Sequence, residues 1–406
     1  MAASRTGGFS FREVPMKKPM RQRDGQQWIS DYFIKATGRV VHHDLDGRSL
    51  PPQVKNIRMA EKYIARSAEN AARLAGEAES RGDPLSARQL YRIAAERFRE
   101  AQHFCVPIVG PRKRELHGRL LECAAKLRSM AGYPIERVEI SCEGESLPAL
   151  FHQAPGEEAG PAVLFMPGMD QTKENFPNPL ANDFRTWGMH VLALDGPGQG
   201  ESWLRGIHVT PESHAEAARS AFEFLAARPE VDAARIGVYG RSFGSFWSFR
   251  AAAAEPRFAA CAGAVACFYW DRLTIFEEAP IRFKQVFMAM SGMEDEDAFD
   301  RIAEGYTLQS HAERIRCPAL IATGEFDPLN PLEQTEAVFE ALSGPKELWV
   351  FEDEFHPLRS LEALGGLAVY PFIAAWMSRA LAGEIPEGHS RKTLVKKTGE
   401  GMFGAE

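Results

Sequence analysis

Gly240-Arg-Ser-Phe-Gly244 sets a serine between two glycines, directly after the apolar run Ile236 to Tyr239 and before the helix-compatible stretch Ser245 to Ala254. A serine on a sharp strand-to-helix turn has strained dihedrals and neighbours so close that a Cβ at either flank would be blocked. Ser242 is the candidate nucleophile. A serine hydroxyl that attacks a carbonyl needs a base, the base needs an orienting acid, and the developing oxyanion needs fixed N–H donors. Downstream, Ala319 to Thr323 runs into Gly324-Glu-Phe-Asp327, and Leu348 to Phe351 is followed by His356. Serine, acid and histidine thus each follow a different apolar run. Asp327 is the preferred acid, with Glu325 as its near competitor and Asp353 and Glu354 behind it; His356 is preferred over His311 and His389. One oxyanion donor is the amide after the nucleophile, that of Phe243. The other belongs to Pro167-Gly168-Met169, at the end of the run Ala162 to Met166, with the Met169 amide preferred and Gly168 as the fallback.

These groups must be held by a fold, and 406 residues, 45% of them hydrophobic, suffice for a large domain plus a smaller one. Apolar runs recur as strands at Arg137 to Cys142, Leu147 to His152, Ala162 to Met166, His190 to Leu194, Ile236 to Tyr239, Cys261 to Ala266, Ala319 to Thr323 and Leu348 to Phe351. Continuous apolar strands alternating with helices imply a mainly parallel sheet covered on both faces. In such sheets ligands meet the turns at the carboxyl ends of the strands. The order serine, aspartate, histidine on those ends is that of an α/β-hydrolase fold.

Upstream the pattern is helical. Val54 to Glu79 carries alanines with Ile57, Met59, Ile64 and Leu74 at mixed spacings, many of three and four, Gly82-Asp-Pro84 breaks the run, and Leu85 to His103 resumes it. The expected division is a loose segment at 1–27, a helical cap at 28–130, a catalytic domain at 131–385 with a lid-like insertion around 268–312, and a flexible tail at 386–406. A net charge of −7 gives no reason to expect nucleic acid or an acidic membrane as partner. Six scattered cysteines show no metal-site spacing, and no apolar run reaches membrane-spanning or signal-peptide length. The expectation is a cytoplasmic protein acting on a small molecule, without metal or organic cofactor.

The segments PGMDQTKENF, LALDGPGQGES, GVYGRSFGS and TGEFDPLNP, behind a helical N-terminal region, resemble the serine hydrolases related to 2,6-dihydroxypseudooxynicotine hydrolase, a carbon–carbon bond hydrolase of nicotine breakdown. That group includes fungal polyketide-shortening hydrolases. The resemblance spans roughly residues 50 to 380 and implies the α/β-hydrolase fold, a helical cap, Ser242, Asp327 and His356 as triad, and homodimers. Pro167 departs from it, standing where relatives often carry a second glycine. It also points to Glu174, at the position of an active-site glutamate in the nicotine-pathway relative. By itself Glu174 reads equally as a charge partner for a helix N-terminus or as a second proton-transfer group. The aromatic segment Phe268 to Phe276 supplies Phe268, Tyr269, Trp270 and Phe276 as candidate pocket residues. Together these features lead to the expectation of carbon–carbon hydrolysis beside a carbonyl. The alternatives are a carboxylesterase or lactonase and, in another class, a non-catalytic ligand-binding protein on the same fold.

Overall fold

Asn56 opens the first helix by accepting the Met59 amide at 3.0 Å on its side-chain oxygen, satisfying one of the donors a helix N-terminus leaves free. In this computed structural model, which describes residues 54–402 apart from 157, 170, 266, 280 and 357, that helix is α1 (Ile57–Ser80). Gly82, at φ 76°, turns the chain, and Asp83 caps α2 (Pro84–Gln102), with Pro84 in its first turn. A third helix, α3 (Pro111–Ser129), completes the layer. The buried stripe of α1 is mostly alanine, so the helices pack closely around Ile64, Tyr91, Phe98, Phe104, Leu116 and Leu120 as a separate apolar cluster. The expected loose segment at 1–27 and the start of the helical region at Trp28 lie outside the described residues.

The rest of the chain builds one sheet. Its strands are β1 (Ile135–Cys142), β2 (Glu145–His152), β3 (Gly160–Met166), β4 (His190–Leu194), β5 (Val231–Arg241), β6 (Ala260–Ala264), β7 (Ala319–Gly324), β8 (Lys346–Phe351) and β9 (Ser390–Val395). They lie in the order β1-β2-β4-β3-β5-β6-β7-β8-β9. β1 and β2 pair antiparallel, as do β2 and β4, and every other pairing is parallel. β3, β4, β6 and β7 are buried along nearly their whole length, which matches their unbroken apolar runs. Helices α4 (Ser213–Ala226) and α5 (Phe243–Ala254) help to cover one face around Trp247 and Phe249, while a C-terminal helix, Tyr370–Leu381, covers the other around Phe351 and Trp376.

One expectation needs correction. The region after 385 is not a tail throughout, because Ser390–Val395 pairs with β8 from Lys346↔Ser390 to Phe351↔Val395. Its side chains are mostly exposed and polar, so the strand is held by backbone pairing at a sheet edge and carries no apolar signature. Between β6 and β7 the chain forms α6 (Ile281–Met290) and α7 (Glu296–Ala303). Arg282 on α6 donates to the carbonyls of His103 and Cys105 just beyond α2, tying this insertion to the helical layer. Arg114 on α3 reaches the Leu204 carbonyl at 2.8 Å, and the Lys113 ammonium lies 4.0 Å from the Trp203 ring centroid.

Candidate active site

Ser242 joins β5 to α5 with φ 54° and ψ −129°, a left-handed backbone that a serine adopts only when its surroundings enforce it. The flanking glycines show how it is enforced. A Cβ on Gly240 would overlap the Gly244 carbonyl, and one on Gly244 would overlap the Met166 carbonyl. The Ser242 hydroxyl lies 2.9 Å from His356 Nε2, and His356 Nδ1 lies 2.9 Å from Asp327 Oδ2. The remaining Asp327 oxygen, Oδ1, accepts the Leu329 amide at 2.9 Å. Since the carboxylate can only accept, the imidazole proton sits on Nδ1 and leaves Nε2 to take the serine proton. Asp327 and His356 are both buried, in loops that follow β7 and β8.

The other candidates for these roles are placed elsewhere. Glu325 accepts the Asp353 amide at 2.9 Å, Glu354 is partly buried with its pKa raised by burial, His311 precedes the turn Ala312–Arg314, and His389 contacts Glu347 at 3.0 Å. The Phe243 amide belongs to the first turn of α5, where a helix leaves its N–H groups without an internal partner. Gly168 is pressed against the nucleophile turn: a Cβ there would come 2.9 Å from the Arg241 carbonyl and 3.2 Å from the Ser242 Cβ. The Met169 amide follows directly in that turn.

Glu174 follows the Pro167–Met169 loop and is paired with a lysine. It sits in a three-residue 3-10 turn, Lys173–Asn175, and its Oε1 lies 2.8 Å from Lys173 Nζ. The same ammonium contacts Asp195 Oδ2 at 2.9 Å and Glu201 Oε2 at 2.6 Å. Burial opposes the charge on Glu174, yet the attraction of Lys173, with His117 behind it, outweighs burial and pulls its pKa down to about 2. Burial likewise opposes the charge on Lys173, but the three carboxylates hold its pKa above the ordinary lysine value. Glu174 faces a small cavity shared with Arg92, Arg128 and His152, whose walls include none of Ser242, Asp327 and His356.

The aromatic segment is mainly core. Phe268, Tyr269 and Phe276 are buried in the large apolar cluster, with Tyr269 and Phe276 at 5.7 Å and 6.2 Å from the Phe243 ring and Phe268 at 4.7 Å from Phe249. Trp270 packs half-buried at its edge. Tyr269, Phe276 and Phe268 thus pack against Phe243, Phe246 and Phe249 of α5. Burial, then the neighbouring Cys267 and Asp327, hold the Tyr269 hydroxyl well above its usual pKa, so it remains a neutral phenol. Cys267, which sequence reasoning did not single out, lies with its Sγ 3.7 Å from Ser242 Oγ. The signal available for it was its place just past the end of β6. Asn330, also missed, accepts the Phe268 amide at 2.7 Å and so ties the loop after β6 to the loop carrying Asp327. Among the described residues no group of His, Cys, Asp or Glu is arranged to hold a metal ion, and no helix is long and apolar enough to cross a membrane.

Residues 181–384, which contain all three members of the hydrogen-bonded relay, match the model of the prolyl oligopeptidase family over half of the chain. The chain belongs to the prolyl oligopeptidase family. As a member of that family it is a hydrolase with the α/β-hydrolase fold. It is 29% identical over 264 residues to 2,6-dihydropseudooxynicotine hydrolase of Paenarthrobacter nicotinovorans, covering 64% of this chain and 68% of that protein. To hydrolyase poxO of Penicillium oxalicum it is 30% identical over 218 residues, and here it spans only 51% of the relative. The crystal structure of 2,6-dihydroxy-pseudo-oxynicotine hydrolase superposes with a TM-score of 0.70 at 23% identity, covering 88% of this chain and 98% of the other. This family member thus shares its fold across the helical layer as well as the sheet.

Proposed function

We propose that this hydrolase works through an acyl-enzyme on Ser242 and cleaves a carbon–carbon bond beside a carbonyl in an aromatic or polyketide-like ketone. One observation carries the mechanism: the unbroken relay from Ser242 Oγ to His356 to Asp327, with 2.9 Å at each step. Ser242 Oγ attacks the carbonyl carbon while His356 Nε2 takes its proton, and the carbonyl oxygen becomes an oxyanion facing the Phe243 and Met169 amides. The carbon–carbon bond then breaks, its electron pair leaves with the carbon fragment, and His356 returns the proton to that carbon. Water, deprotonated by His356, opens the acyl-enzyme to a carboxylic acid and restores Ser242. Asp327 keeps the imidazole in the required tautomer throughout.

The substrate class is supported by the 29% identity with the enzyme named 2,6-dihydropseudooxynicotine hydrolase. A second reading, hydrolysis of a hydrophobic ester or lactone, is favoured by the ionised state of Glu174, because an alkoxide leaving group needs no acid beyond His356. In either case the helical layer, joined to the 268–312 insertion through Arg282, acts as a roof that keeps water from the acyl-enzyme. A fluorophosphonate probe, which reacts with activated serines, should label the protein at Ser242 and leave Ser242→Ala unlabelled. Equal labelling of both would sink the mechanism. Product analysis on a panel of aryl ketones, β-diketones, lactones and simple esters then decides the bond: turnover of esters or lactones without ketone cleavage establishes the second reading.

A further inference from the structure

The turn Asp195-Gly-Pro-Gly-Gln-Gly-Glu201 wraps behind the oxyanion loop and grips it at both ends. At the far end, Asp195 accepts the Lys173 amide at 2.7 Å and the Lys173 ammonium at 2.9 Å. At the near end, the fully buried Gln199 donates from Nε2 to the carbonyls of Pro167, at 3.0 Å, and Gly168, at 2.7 Å. Two carbonyls can only accept, so the amide orientation follows from chemistry: the NH2 faces the loop and Oε1 faces away. His214 Nε2 lies 3.3 Å from Gln199 Oε1 and must donate to it, which places the imidazole proton on Nε2. The ring is held flat against Trp247, with centroids 3.7 Å apart and planes 2° from parallel. Gly196 lets this happen, because a Cβ there would stand 2.6 Å from His214 Nε2.

The consequence lies in the geometry of one peptide unit. The Gly168 carbonyl and the Met169 N–H belong to the same planar trans peptide and point in opposite directions, so fixing one fixes the other. We propose that Gln199, oriented by His214, is a positioning residue that sets the direction of the Gly168–Met169 peptide and with it the second oxyanion donor. This assignment rests on the serine-hydrolase reading above. It also accounts for Gly196 in that turn, where a Cβ would come 2.6 Å from His214 Nε2 and 3.3 Å from Gln199 Oε1.

Gln199→Met keeps the side-chain length and removes the donor, Gln199→Glu turns a carboxylate towards two carbonyls, and His214→Phe keeps the stack on Trp247 while deleting the bond to Gln199. Phosphonylation by a fluorophosphonate builds a tetrahedral adduct whose oxygen occupies the same hole, so its second-order rate reads the donor's aim. Loss of a whole oxyanion donor costs about 10²- to 10³-fold, and misdirecting one should slow labelling by roughly 10- to 100-fold in either Gln199 variant, with a smaller loss in His214→Phe. The plateau of the pH–rate profile should drop without a shift in its midpoint, because the His356 relay is untouched. Thermal midpoints, measured in parallel, identify any variant that loses rate only by unfolding, and a folded variant with an intact midpoint carries the test. Parent labelling at Ser242 with unchanged rates in all folded variants overturns this proposal alone. Absence of labelling in the parent overturns it together with the serine-hydrolase reading.

Discussion

Two buried clusters of charge lie at strand ends of the same sheet, and they differ in whether a proton can leave. The Lys173 ammonium is ringed by three carboxylates, hydrogen-bonded to Asp195 Oδ2 at 2.9 Å and Glu201 Oε2 at 2.6 Å and ion-paired with Glu174 Oε1 at 2.8 Å. The Ser242, His356 and Asp327 relay is also fully hydrogen-bonded on the side of the acid, where Leu329 and His356 occupy both oxygens of Asp327. Its other end is Ser242 Oγ, 2.9 Å from His356 Nε2, which in the proposed mechanism passes its proton inward and keeps its lone pairs for a carbonyl carbon. On the proposed mechanism the closed cluster holds loops together, whereas the relay with one open end does the chemistry. Burial alone does not separate them, since Asp195 and Asp327 are both under a tenth exposed.

The largest test of the contrast is removal of the open end. Ser242→Ala and His356→Ala should each lower kcat by about 10⁴- to 10⁶-fold, and the double variant should be no worse than either, because residues that act as a unit are not additive. Thermal midpoints close to the parent value would show that the loss is chemical. Additive losses in the double variant would mean that the two residues work separately.

Removal of the closed cluster's cation should act on stability instead. Lys173→Met leaves Glu174, Asp195 and Glu201 without their shared partner in a dry site, a change that costs about 3–5 kcal/mol when a buried pair is broken. Denaturant titration should show that loss, with the protein unfolded at ordinary temperature as its upper limit. A variant as stable as the parent would mean that the carboxylates find water or protons cheaply, and the cluster would no longer count as structural.

Histidines sharpen the same contrast more gently. Burial alone pushes His214 down to about 3, burial and then Arg128 push His152 to about 3, and burial, partly offset by Glu174, takes His117 to about 4. In the unfolded chain each titrates near 6.5, so between about pH 6.5 and 4 the unfolded state binds protons that the folded state refuses. Folding is therefore most favoured above pH 6.5 and loses ground as pH falls, by up to about 1.4 kcal/mol per pH unit for each histidine. Denaturant midpoints measured across that range should fall accordingly, and His214→Phe should make the slope shallower. A flat profile would contradict the buried, neutral state of these rings.

The relay was legible in the sequence because each of its members follows a long apolar run, and strand ends are where such sheets gather their chemistry. The grip of Gln199 on the oxyanion loop was not, although the Gly-rich turn that carries it stood out, because the partner carbonyls are 31 and 32 residues away and carbonyls leave no mark on sequence. β9 escaped for the opposite reason: its pairing is all backbone, and Ser390-Arg-Lys-Thr reads as solvent-facing chain. The aromatic segment was visible as a feature but its direction was not, since a buried ring in the core and a ring lining a pocket have the same residue type. Cys267 gave no pattern at all beyond its place after β6.

Glu174 is the residue on which the sequence reading left two roles open, and it supplies the finest test. In the sequence Glu174 reads equally as a charge partner for a helix N-terminus or as a second proton-transfer group, and what the sequence leaves out is Asp195 and Glu201, which reach its neighbour Lys173 from 22 and 28 positions along the chain. Glu174→Gln removes one of three charges around Lys173 and leaves the other two in place. An acid with a pKa of about 2 carries no proton to give at neutral pH, so kcat on both esters and aryl ketones should stay within about threefold of the parent, with a loss of stability of roughly 1 kcal/mol. Equal behaviour of the two substrate types assigns the carbon protonation to His356. A selective loss of ketone cleavage, at least tenfold beyond any loss with esters, would return Glu174 to the chemistry and show that substrate binding draws it out of the Lys173 cluster.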